Sequence, residues 1–422
     1  MKLFPHQQQA LERVTNRNRV AFFHDMGLGK TFTGAEKAIR MNSKTILVVC
    51  QKSKLQDWID HFKTHYDRQV FDLTDRKQLA TFHGLSMGER FFCVGVINYD
   101  LMFRRKELLD LENFTLMLDE SSLIQNQKSN RCKFVLKMKP ANVILLSGTP
   151  CSGKYENLYS QIHLLGWDIS EKLYNTHYVN WKNIKVGGHI HKVVDKDDPY
   201  KNVERLKQKM REHGCDFIKT EEVFDLPEQN FIVTKVPTTK EYRKFKKDHL
   251  VTVDGIELVG DSLLSYRLYQ RQLCTAYNPN KLDAFKDLLD STQDRLIVFY
   301  QFNCELEALQ QICNELDRPC SVVNGQVKDL TAYEQESNSV TLVQYQAGSM
   351  GLNLQKANKI IYFSLTEEAE LFQQSMKRTH RIGQERPCFY YLLICQNSIE
   401  DQEILPTLNL REELTNELFK EV

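Results

Sequence analysis

Short runs of β-branched and aromatic residues alternate with segments of helical period in two parts of the chain. In the first part they lie at residues 20–23, 45–50, 91–97, 114–118 and 143–146. In the second part they lie at residues 296–300, 320–324, 340–344, 359–363 and 389–395. Runs that are apolar throughout predict strands buried on both faces, as in a parallel sheet covered by helices. The pattern therefore predicts two separate α/β lobes.

The alternation lapses between about residues 166 and 275. This stretch is charged, with helices predicted at residues 202–213, 239–249 and 262–276 and a hairpin around Gly187-Gly188. Prolines at positions 227 and 237 mark a junction. We interpret the stretch as an insertion followed by a linker.

The composition of the chain bears on whether it binds nucleic acid, on the redox state of its cysteines and on whether it enters a membrane. A formal net charge of +1 with 26% charged residues gives no general attraction to nucleic acid, so a DNA site has to be local. Eleven cysteines without a Cys-x-x-Cys pair favour reduced thiols over a zinc site or a disulfide framework. No apolar run approaches the roughly 18 residues of a membrane span. A cytosolic protein, or a nuclear one if the host has a nucleus, is expected, without a membrane partner.

The first predicted strand runs into a glycine-containing segment and then a predicted helix. The segment reads His24-Asp25-Met26-Gly27-Leu28-Gly29-Lys30-Thr31. Strand, glycines and helix N-terminus direct backbone N–H groups and the helix dipole at one point, where a polyphosphate can bind. Lys30 would neutralise phosphate oxygens and Thr31 would bind Mg²⁺. His24 stands where the pattern has a glycine, and an ordinary glycine turn is the alternative interpretation.

Two carboxylates follow the strand predicted at residues 114–118. Asp119 and Glu120 would lie at its carboxyl end, where ligands bind in open α/β sheets. Asp119 would hold the metal, and Glu120 would polarise the attacking water. Most such pairs only mark a solvated strand end. The segment 145–150 ends the next predicted strand with small hydroxyl residues. Such residues suit a segment that transmits a change in the bound nucleotide to a neighbouring surface of the protein, although the segment alone would be an ordinary turn.

The second lobe carries Gln374-Ser-Met-Lys-Arg378-Thr-His-Arg381-Ile-Gly-Gln384. The two arginines are three positions apart and are predicted to share a helical face. They could be an arginine-finger pair for a transferring phosphoryl group, or a solvated basic helix end. Upstream, the loop at 346–354 carries Gly351 and suits backbone contacts with phosphates.

In their order and spacing these motifs resemble those of the Swi/Snf-type ATPases of helicase superfamily two, over nearly the whole chain. The ending Arg-x-His-Arg-Ile-Gly-Gln is the most specific element. The resemblance implies two RecA-like lobes, with catalytic Lys30, Asp119, Glu120, Arg378 and Arg381, and Mg²⁺ on Thr31 and Asp119. It also implies an ATP site that contains Gln7, Asp25, Met26, Gly27, Leu28, Gly29, Lys30, Thr31, Gly351 and Gln374.

Three departures from the family pattern stand out. Ser122 replaces a common histidine, so the coupling to the third motif is expected to be weaker or rewired. Leu365-Thr366-Glu367 stands near where the family has Trp-Asn-Pro. The insert is short and no chromatin-reading module flanks the core, which favours a minimal translocase such as phage or bacterial genomes carry.

Strand-to-helix loops with small polar residues and lysines are the candidate contacts for DNA phosphates. They are Lys52, Ser53, Asn98, Tyr99, Gln301 and Ser349. Each is equally compatible with a plain loop position.

The predicted architecture is α/β, with two RecA-like parallel-sheet lobes and helical insertions. Lobe one is expected at residues 1–236, with a protrusion at about 151–222, and lobe two at 237–422, with a protrusion at about 240–278. The predicted function is an ATP- and Mg²⁺-dependent translocase that moves on duplex DNA without sequence specificity. It is expected to be a monomer in the cytoplasm of a prokaryotic or phage-infected host cell, with a protein partner in replication, recombination or repair. The alternatives are a strand-separating helicase and an ATP-gated DNA clamp that recruits a partner such as a nuclease.

Overall fold

The computed structural model describes residues 3–86, 88, 92–186, 188–348 and 352–421. The chain forms two compact units. The first takes in the chain up to Val223 together with the segment from Glu413 onward, and the second is Phe224–Glu412. Among the described residues no helix combines the length and the apolar character needed to cross a membrane.

The first unit is built on a seven-stranded sheet. The strands of this unit are β1 (Arg19–His24), β2 (Thr45–Cys50), β3 (Gln69–Asp72), β4 (Cys93–Asn98), β5 (Thr115–Asp119), β6 (Asn142–Ser147), β7 (Trp181–Val186), β8 (His189–Val194) and β9 (Cys215–Ile218). The strands of the sheet pair in parallel in the order β3-β4-β2-β5-β6-β1-β9. Strands β7 and β8 form a separate hairpin.

Nine α-helices connect these strands in the described part of the unit. They are α1 (Pro5–Arg13), α2 (Lys30–Arg40), α3 (Leu55–His65), α4 (Arg76–Ser86), α5 (Tyr99–Met102), α6 (Asn130–Val135), α7 (Tyr159–Leu164), α8 (Glu171–Tyr178) and α9 (Val203–Glu212). Every residue of β2 and β4 is buried, which explains why these strands are continuous apolar runs in the sequence.

The second unit is built on a six-stranded sheet. The strands of this unit are β10 (Gln229–Val236), β11 (Leu250–Val253), β12 (Ile256–Val259), β13 (Leu296–Tyr300), β14 (Cys320–Val323), β15 (Val340–Gln344), β16 (Lys359–Tyr362) and β17 (Cys388–Cys395). The strands of the sheet also pair in parallel, in the order β10-β17-β16-β13-β15-β14, and β11 and β12 form a separate hairpin.

The helices of this unit follow the same alternation. They are α10 (Lys240–Asp248), α11 (Leu263–Cys274), α12 (Pro279–Asp290), α13 (Asn303–Glu315), α14 (Thr331–Gln335), α15 (Tyr345–Gly348), α16 (Ala369–Met376) and α17 (Leu405–Phe419), the last preceded by a π-helical turn at Glu400–Ile404. The end of α17 belongs to the first unit, where the carbonyl of Leu414 accepts a hydrogen bond from the Tyr155 hydroxyl (2.7 Å).

Two parallel sheets with helices on their faces confirm the predicted fold class. The unit boundaries differ from the predicted ones, because β10 pairs along its whole length with β17 and is therefore part of the second sheet. Residues 151–222 also include the hairpin of β7 and β8 and the sheet strand β9, and residues 240–278 include the hairpin of β11 and β12. Both regions are thus less helical than predicted.

A polar cluster is enclosed in the core of the second unit. The ammonium of Lys281 lies 2.8 Å from both carboxylate oxygens of Glu400, and both side chains are almost fully buried. Burial alone would lower the pKa of Lys281, but the charge and hydrogen bond of Glu400, together with the neighbouring Cys395 and Cys274, outweigh it and the pKa is raised. Asn278 donates to Cys395 Sγ (2.8 Å) beside this pair. All eleven cysteines are free, as the sequence predicted.

Candidate nucleotide site

The glycine loop has the conformation that a phosphate-binding loop requires. Strand β1 ends at His24 and helix α2 begins at Lys30, so the loop lies at the N-terminus of an 11-residue helix. Gly27 (φ +89°) and Gly29 (φ +71°) are both in the left-handed region that favours glycine. A Cβ at position 29 would overlap Nε2 of Gln7, so glycine is also required there by packing.

Helix α1 holds this loop from one side. Gln7 Nε2 donates to the carbonyls of Leu28 and Gly29 (both 3.2 Å), and Gln7 Oε1 accepts from the backbone N–H of Phe4 (2.9 Å). His6 Nε2 lies 3.0 Å from the Leu28 carbonyl. The structure therefore shows that Gln7 holds the loop in place, and its part in binding ATP stays a prediction.

Lys30 is held at the mouth of the loop. Its ammonium donates to the carbonyls of His24 (2.8 Å) and Asp25 (3.1 Å). Burial lowers the pKa of Lys30, whereas the charges of Glu120, Asp25 and Asp119 act in the opposite direction. A cation that bonds only to carbonyls can transfer to phosphate oxygens without breaking an ion pair.

The side chain of His24 explains how the loop tolerates a residue other than glycine. It is fully buried away from the loop, and its Nε2 lies 2.7 Å from Oδ2 of Asp216 on the neighbouring strand β9. Arg13 of α1 donates to the same carboxylate (2.5 and 3.1 Å). Burial would raise the pKa of Asp216, but these two partners hold it below its ordinary value. The loop is thus anchored to α1 through Arg13 and to β9 through Asp216, two residues that the sequence did not single out.

The two carboxylates lie at the carboxyl end of β5, as predicted. Asp119 Oδ2 accepts from the indole N–H of Trp58 (2.8 Å), and burial raises the pKa of Asp119 although Trp58 and Lys30 oppose this shift. Glu120 has a left-handed backbone (φ +56°), which is costly for a residue with a Cβ. Such strain at a predicted catalytic residue is consistent with a functional constraint.

The third motif contacts the carboxylate segment and lies close to Lys30. Ser147 Oγ donates to Glu120 Oε1 (3.3 Å), and a Cβ on Gly148 would lie 3.5 Å from Lys30 Nζ. The effect of Ser122 on the coupling to the third motif stays a prediction, and the structure shows the polar contacts beside it. The neighbouring Ser121 donates to Gln161 Oε1 (2.7 Å), and Gln161 Nε2 donates to the carbonyl of Pro150 (2.6 Å). Gln161 is a second residue that the sequence did not reveal.

The predicted magnesium ligands form a suitable donor set. Thr31 supplies a hydroxyl and Asp119 a carboxylate, which are the oxygen ligands that Mg²⁺ prefers. Both side chains are partly exposed at the loop rather than enclosed, which leaves room for the waters and phosphates that complete such a site.

The predicted DNA contacts differ in their surroundings. Lys52 and Ser53 are exposed after β2, as a phosphate contact requires. Asn98 and Tyr99 are buried, and the Tyr99 hydroxyl donates to the Asp119 carbonyl (2.9 Å), so these two side chains support the carboxylate segment rather than the surface. In the second unit Gln301 is only partly exposed. Ser349 lies outside the described residues.

The arginine motif of the second unit is not on one helical face, contrary to the prediction. Helix α16 ends at Met376, and Arg378 and Arg381 follow it in turns. Arg378 is buried and donates to the Leu352 carbonyl (3.4 Å). Arg381 is partly exposed, and burial lowers its pKa. Gln374 donates to Glu370 Oε1 (3.2 Å), and Gly351 lies outside the described residues.

Comparison with protein families agrees with these motifs. The model of the SNF2-related domain matches residues 6–315, which is well over half of the 422 residues. The chain belongs to the SNF2-related family. The model of the helicase conserved C-terminal domain matches residues 280–383, so the family also accounts for the region of the arginine motif.

Individual relatives of this SNF2-related protein are distant. A SWI/SNF-related regulator of chromatin of subfamily A (member 1) from Mus musculus is 24% identical over 90% of the chain and 39% of the relative. The ISWI chromatin-remodeling complex ATPase of Saccharomyces cerevisiae is 23% identical over 95% of the chain and 39% of the relative. An uncharacterized ATP-dependent helicase of Mycoplasma genitalium is 24% identical over 94% of the chain and 40% of the relative.

The chain thus spans about two-fifths of the length of these relatives. Among solved structures, the Sulfolobus solfataricus SWI2/SNF2 ATPase core in complex with dsDNA is similar, with a TM-score of 0.46 and 19% identity over 99% of this chain and 94% of that chain.

Proposed function

We propose that this SNF2-related protein hydrolyses ATP and uses the energy to move along duplex DNA without reading its sequence. The observation that carries the proposal is the meeting of three motifs at the carboxyl edge of one sheet. Ser147 is hydrogen-bonded to Glu120, the charge of Glu120 acts on Lys30, and Gly148 lies beside the Lys30 ammonium.

Each residue has a chemical task in this proposal. The amides of the glycine loop and the Lys30 ammonium bind the β- and γ-phosphates. Thr31 and Asp119 would hold Mg²⁺, which neutralises charge on the phosphate oxygens when bound. Glu120 orients the attacking water and accepts its proton, while Ser147 fixes the direction of the Glu120 carboxylate through its hydrogen bond.

DNA as the substrate is inferred from the family and from the exposed loop residues Lys52 and Ser53. Phosphate contacts position a protein on the duplex but carry no sequence information directly. We therefore expect the protein to bind duplex DNA with an affinity that falls as the salt concentration rises. The affinities for unrelated sequences should differ by less than about a hundredfold, which is the effect of one or two good base contacts.

Strand separation is a second candidate, favoured by the hairpin of β7 and β8. Ile184 and Ile190 on this two-stranded ribbon are 37% and 67% exposed, and Lys185 and Lys192 are exposed beside them. An apolar side chain on a basic ribbon can insert between base pairs. This activity predicts ATP-dependent release of a strand from a partial duplex, whereas translocation alone predicts none.

The first prediction is that duplex DNA stimulates ATP hydrolysis, and that Lys30→Ala abolishes both ATP binding and turnover. The substitution removes the cation that the loop presents to the phosphates. Phosphate release would be measured with no nucleic acid, with single strands and with duplex, together with binding of a fluorescent ATP analogue. Lys63→Ala, at an exposed position of α3, is the control and should behave as the wild type. Wild-type turnover that is unchanged by any DNA would contradict the proposal.

The second prediction concerns the arginines of the second unit. Arg381 has no hydrogen-bond or ion-pair partner for its guanidinium among the described residues, so it is available to stabilise charge that develops on a transferring phosphoryl group. Arg381→Ala should lower the DNA-stimulated kcat at least about tenfold, roughly 1.4 kcal/mol, with a much smaller effect on ATP binding.

Two further arginine substitutions separate chemistry from folding. Arg378→Ala removes a buried side chain and should lower the melting temperature as well as kcat. Arg386→Ala, at an exposed position nearby, should leave kcat unchanged. If Arg381→Ala and Arg378→Ala both kept full stimulated turnover in a folded protein, the ATP-gated clamp would be the better account.

A further inference from the structure

Helix α10 carries a row of cations that no motif explains. Lys240, Arg243, Lys244 and Lys247 are all exposed and follow the spacing i, i+3, i+4, i+7, which places them on one face of the helix. We call these four residues the basic stripe. Lys246 is also exposed but lies off the stripe, and its ammonium donates to Gln402 Oε1 (3.3 Å).

The orientation of the stripe is fixed by the opposite face of the helix. Tyr242 and Phe245 are buried in the core of the second unit. The Tyr242 hydroxyl donates to Gln270 Oε1 (3.2 Å) and accepts from the backbone N–H of Ile399 (2.9 Å). The Thr239 hydroxyl caps the helix by accepting from the N–H of Tyr242 (3.1 Å). The four cations are therefore held toward solvent by packing and not only by their own preference for water.

No residue in the described part of the chain pairs with a charge of the stripe. None of its four cations forms an ion pair with a described residue. Elsewhere partly exposed lysines in helical segments do so, as in Lys54 with Asp57 (2.7 Å) and Lys209 with Glu212 (2.6 Å). The two acids of α10, Glu241 and Asp248, lie off the stripe and form no ion pair with it among the described residues. A local concentration of free positive charge on a chain of net charge +1 indicates a polyanionic partner.

We propose that the basic stripe binds the phosphate backbone of duplex DNA. The stripe spans seven residue steps, or roughly 10 Å at 1.5 Å per residue. Duplex DNA presents one charge per ~1.7 Å of its axis, so about six phosphate charges lie within that length. The inference rests on the proposed DNA translocase function and adds to it a contact in the second unit, outside the loops that follow the sheet strands.

The test compares charge removal on and off the stripe. Glutamine has a helix propensity close to that of lysine and arginine, so Lys240→Gln/Arg243→Gln/Lys244→Gln/Lys247→Gln should leave α10 folded. Binding of a fluorescent duplex of about 30 base pairs would be measured by anisotropy at several salt concentrations. We expect the fourfold variant to bind at least about tenfold more weakly, and its salt slope to flatten by up to roughly 3.6, or 0.9 for each lost contact.

Single substitutions in the same helix are the matched control. Lys244→Gln should weaken duplex binding and flatten the salt slope by up to about 0.9, whereas Lys246→Gln, with the same change of charge, should do neither. The melting temperature and the DNA-free ATPase rate should stay at wild-type values in both. Equal effects of the two single substitutions would overturn the inference, because the position on the helix would then not matter.

The remaining outcomes separate this inference from the proposed function. If the wild-type protein neither binds duplex nor shows DNA-stimulated turnover, the proposed function fails and the stripe proposal fails with it. If the wild type binds duplex with a steep salt dependence but the fourfold variant keeps its affinity and slope, only the stripe proposal fails. Polyglutamate is the further probe. Stripe-dependent binding of polyglutamate in preference to duplex would assign the stripe to an acidic protein and overturn the DNA proposal.

Discussion

Glu120→Gln is expected to lower the DNA-stimulated kcat by about 10²- to 10⁴-fold, the range for loss of a general base. ATP should still bind. Glutamine has the same shape and can accept the hydrogen bond from Ser147, so the geometry around residue 120 is kept. It cannot take a proton from water. Lys30 and the glycine loop remain to bind the phosphates, and Asp119 remains beside them.

The measurement is single-turnover hydrolysis of ATP in the presence of duplex, alongside equilibrium binding of a fluorescent ATP analogue. Glu112→Gln is the control, since Glu112 is an exposed carboxylate just before β5 and should tolerate the same change without effect. A Glu120→Gln protein that hydrolyses ATP at the wild-type rate would show that the base is another group. A variant that loses ATP binding instead would show that Glu120 acts in the ground state.

The nucleotide site could be predicted from the sequence because it follows from local rules. Strands buried on both faces are apolar runs, and the residues just after them lie at one edge of a parallel sheet. The positions of Lys30, Asp119 and Ser147 follow directly from that rule. Glycines in the left-handed region mark the loop for the same local reason.

Contacts between distant parts of the chain could not be predicted in this way. Asp216 approaches His24 only because β9 pairs with β1 in a particular register, with Phe22 opposite Asp216, and no spacing in the sequence encodes that pairing. Likewise β10 joins the second sheet through pairing with β17, which lies about 150 residues later in the chain. Edge strands and chain ends are therefore where the predicted lobe boundaries differ from the structure.

The arginine motif shows a third kind of difference, in which a local pattern is overridden at a helix end. A three-residue spacing places Arg378 and Arg381 on one face only if the helix continues. In the structure the N–H of Arg378 bonds to the Ser375 carbonyl (3.2 Å) and that of Thr379 to the Met376 carbonyl (3.3 Å), so the chain tightens into turns. The two arginines consequently have different environments and should not be interchangeable.

Lys281→Met is expected to lower the free energy of unfolding of the second unit by about 3–5 kcal/mol, the cost of removing one partner of a buried ion pair. Methionine has a similar length and fills the apolar part of the space. It leaves the Glu400 carboxylate buried with its charge, while the backbone N–H of Cys395 (3.1 Å) still donates to it. The effect should therefore come from the uncompensated charge and not from a cavity.

The design of this experiment follows from where the probes lie. All three tryptophans, Trp58, Trp167 and Trp181, belong to the first unit, so their fluorescence in urea reports on that unit and should change little. Hydrogen exchange of the amides in α12 and β17 reports on the second unit and should show the loss. Lys286→Met is the control, because it removes a partly exposed lysine of the same helix that pairs with Glu315 at the surface, and it should stay near the wild-type stability.

The double substitution Lys281→Met/Glu400→Gln tests the cause. It removes the stranded charge, while the glutamine oxygen can still accept from the Cys395 N–H. Replacing both partners of a buried pair is often close to neutral. We therefore expect the double variant to recover most of the exchange protection that Lys281→Met loses. If Lys281→Met were no less stable than Lys286→Met, the pair would contribute nothing. If the double variant were as unstable as the single one, packing of the lysine stem and not charge would hold this part of the core together.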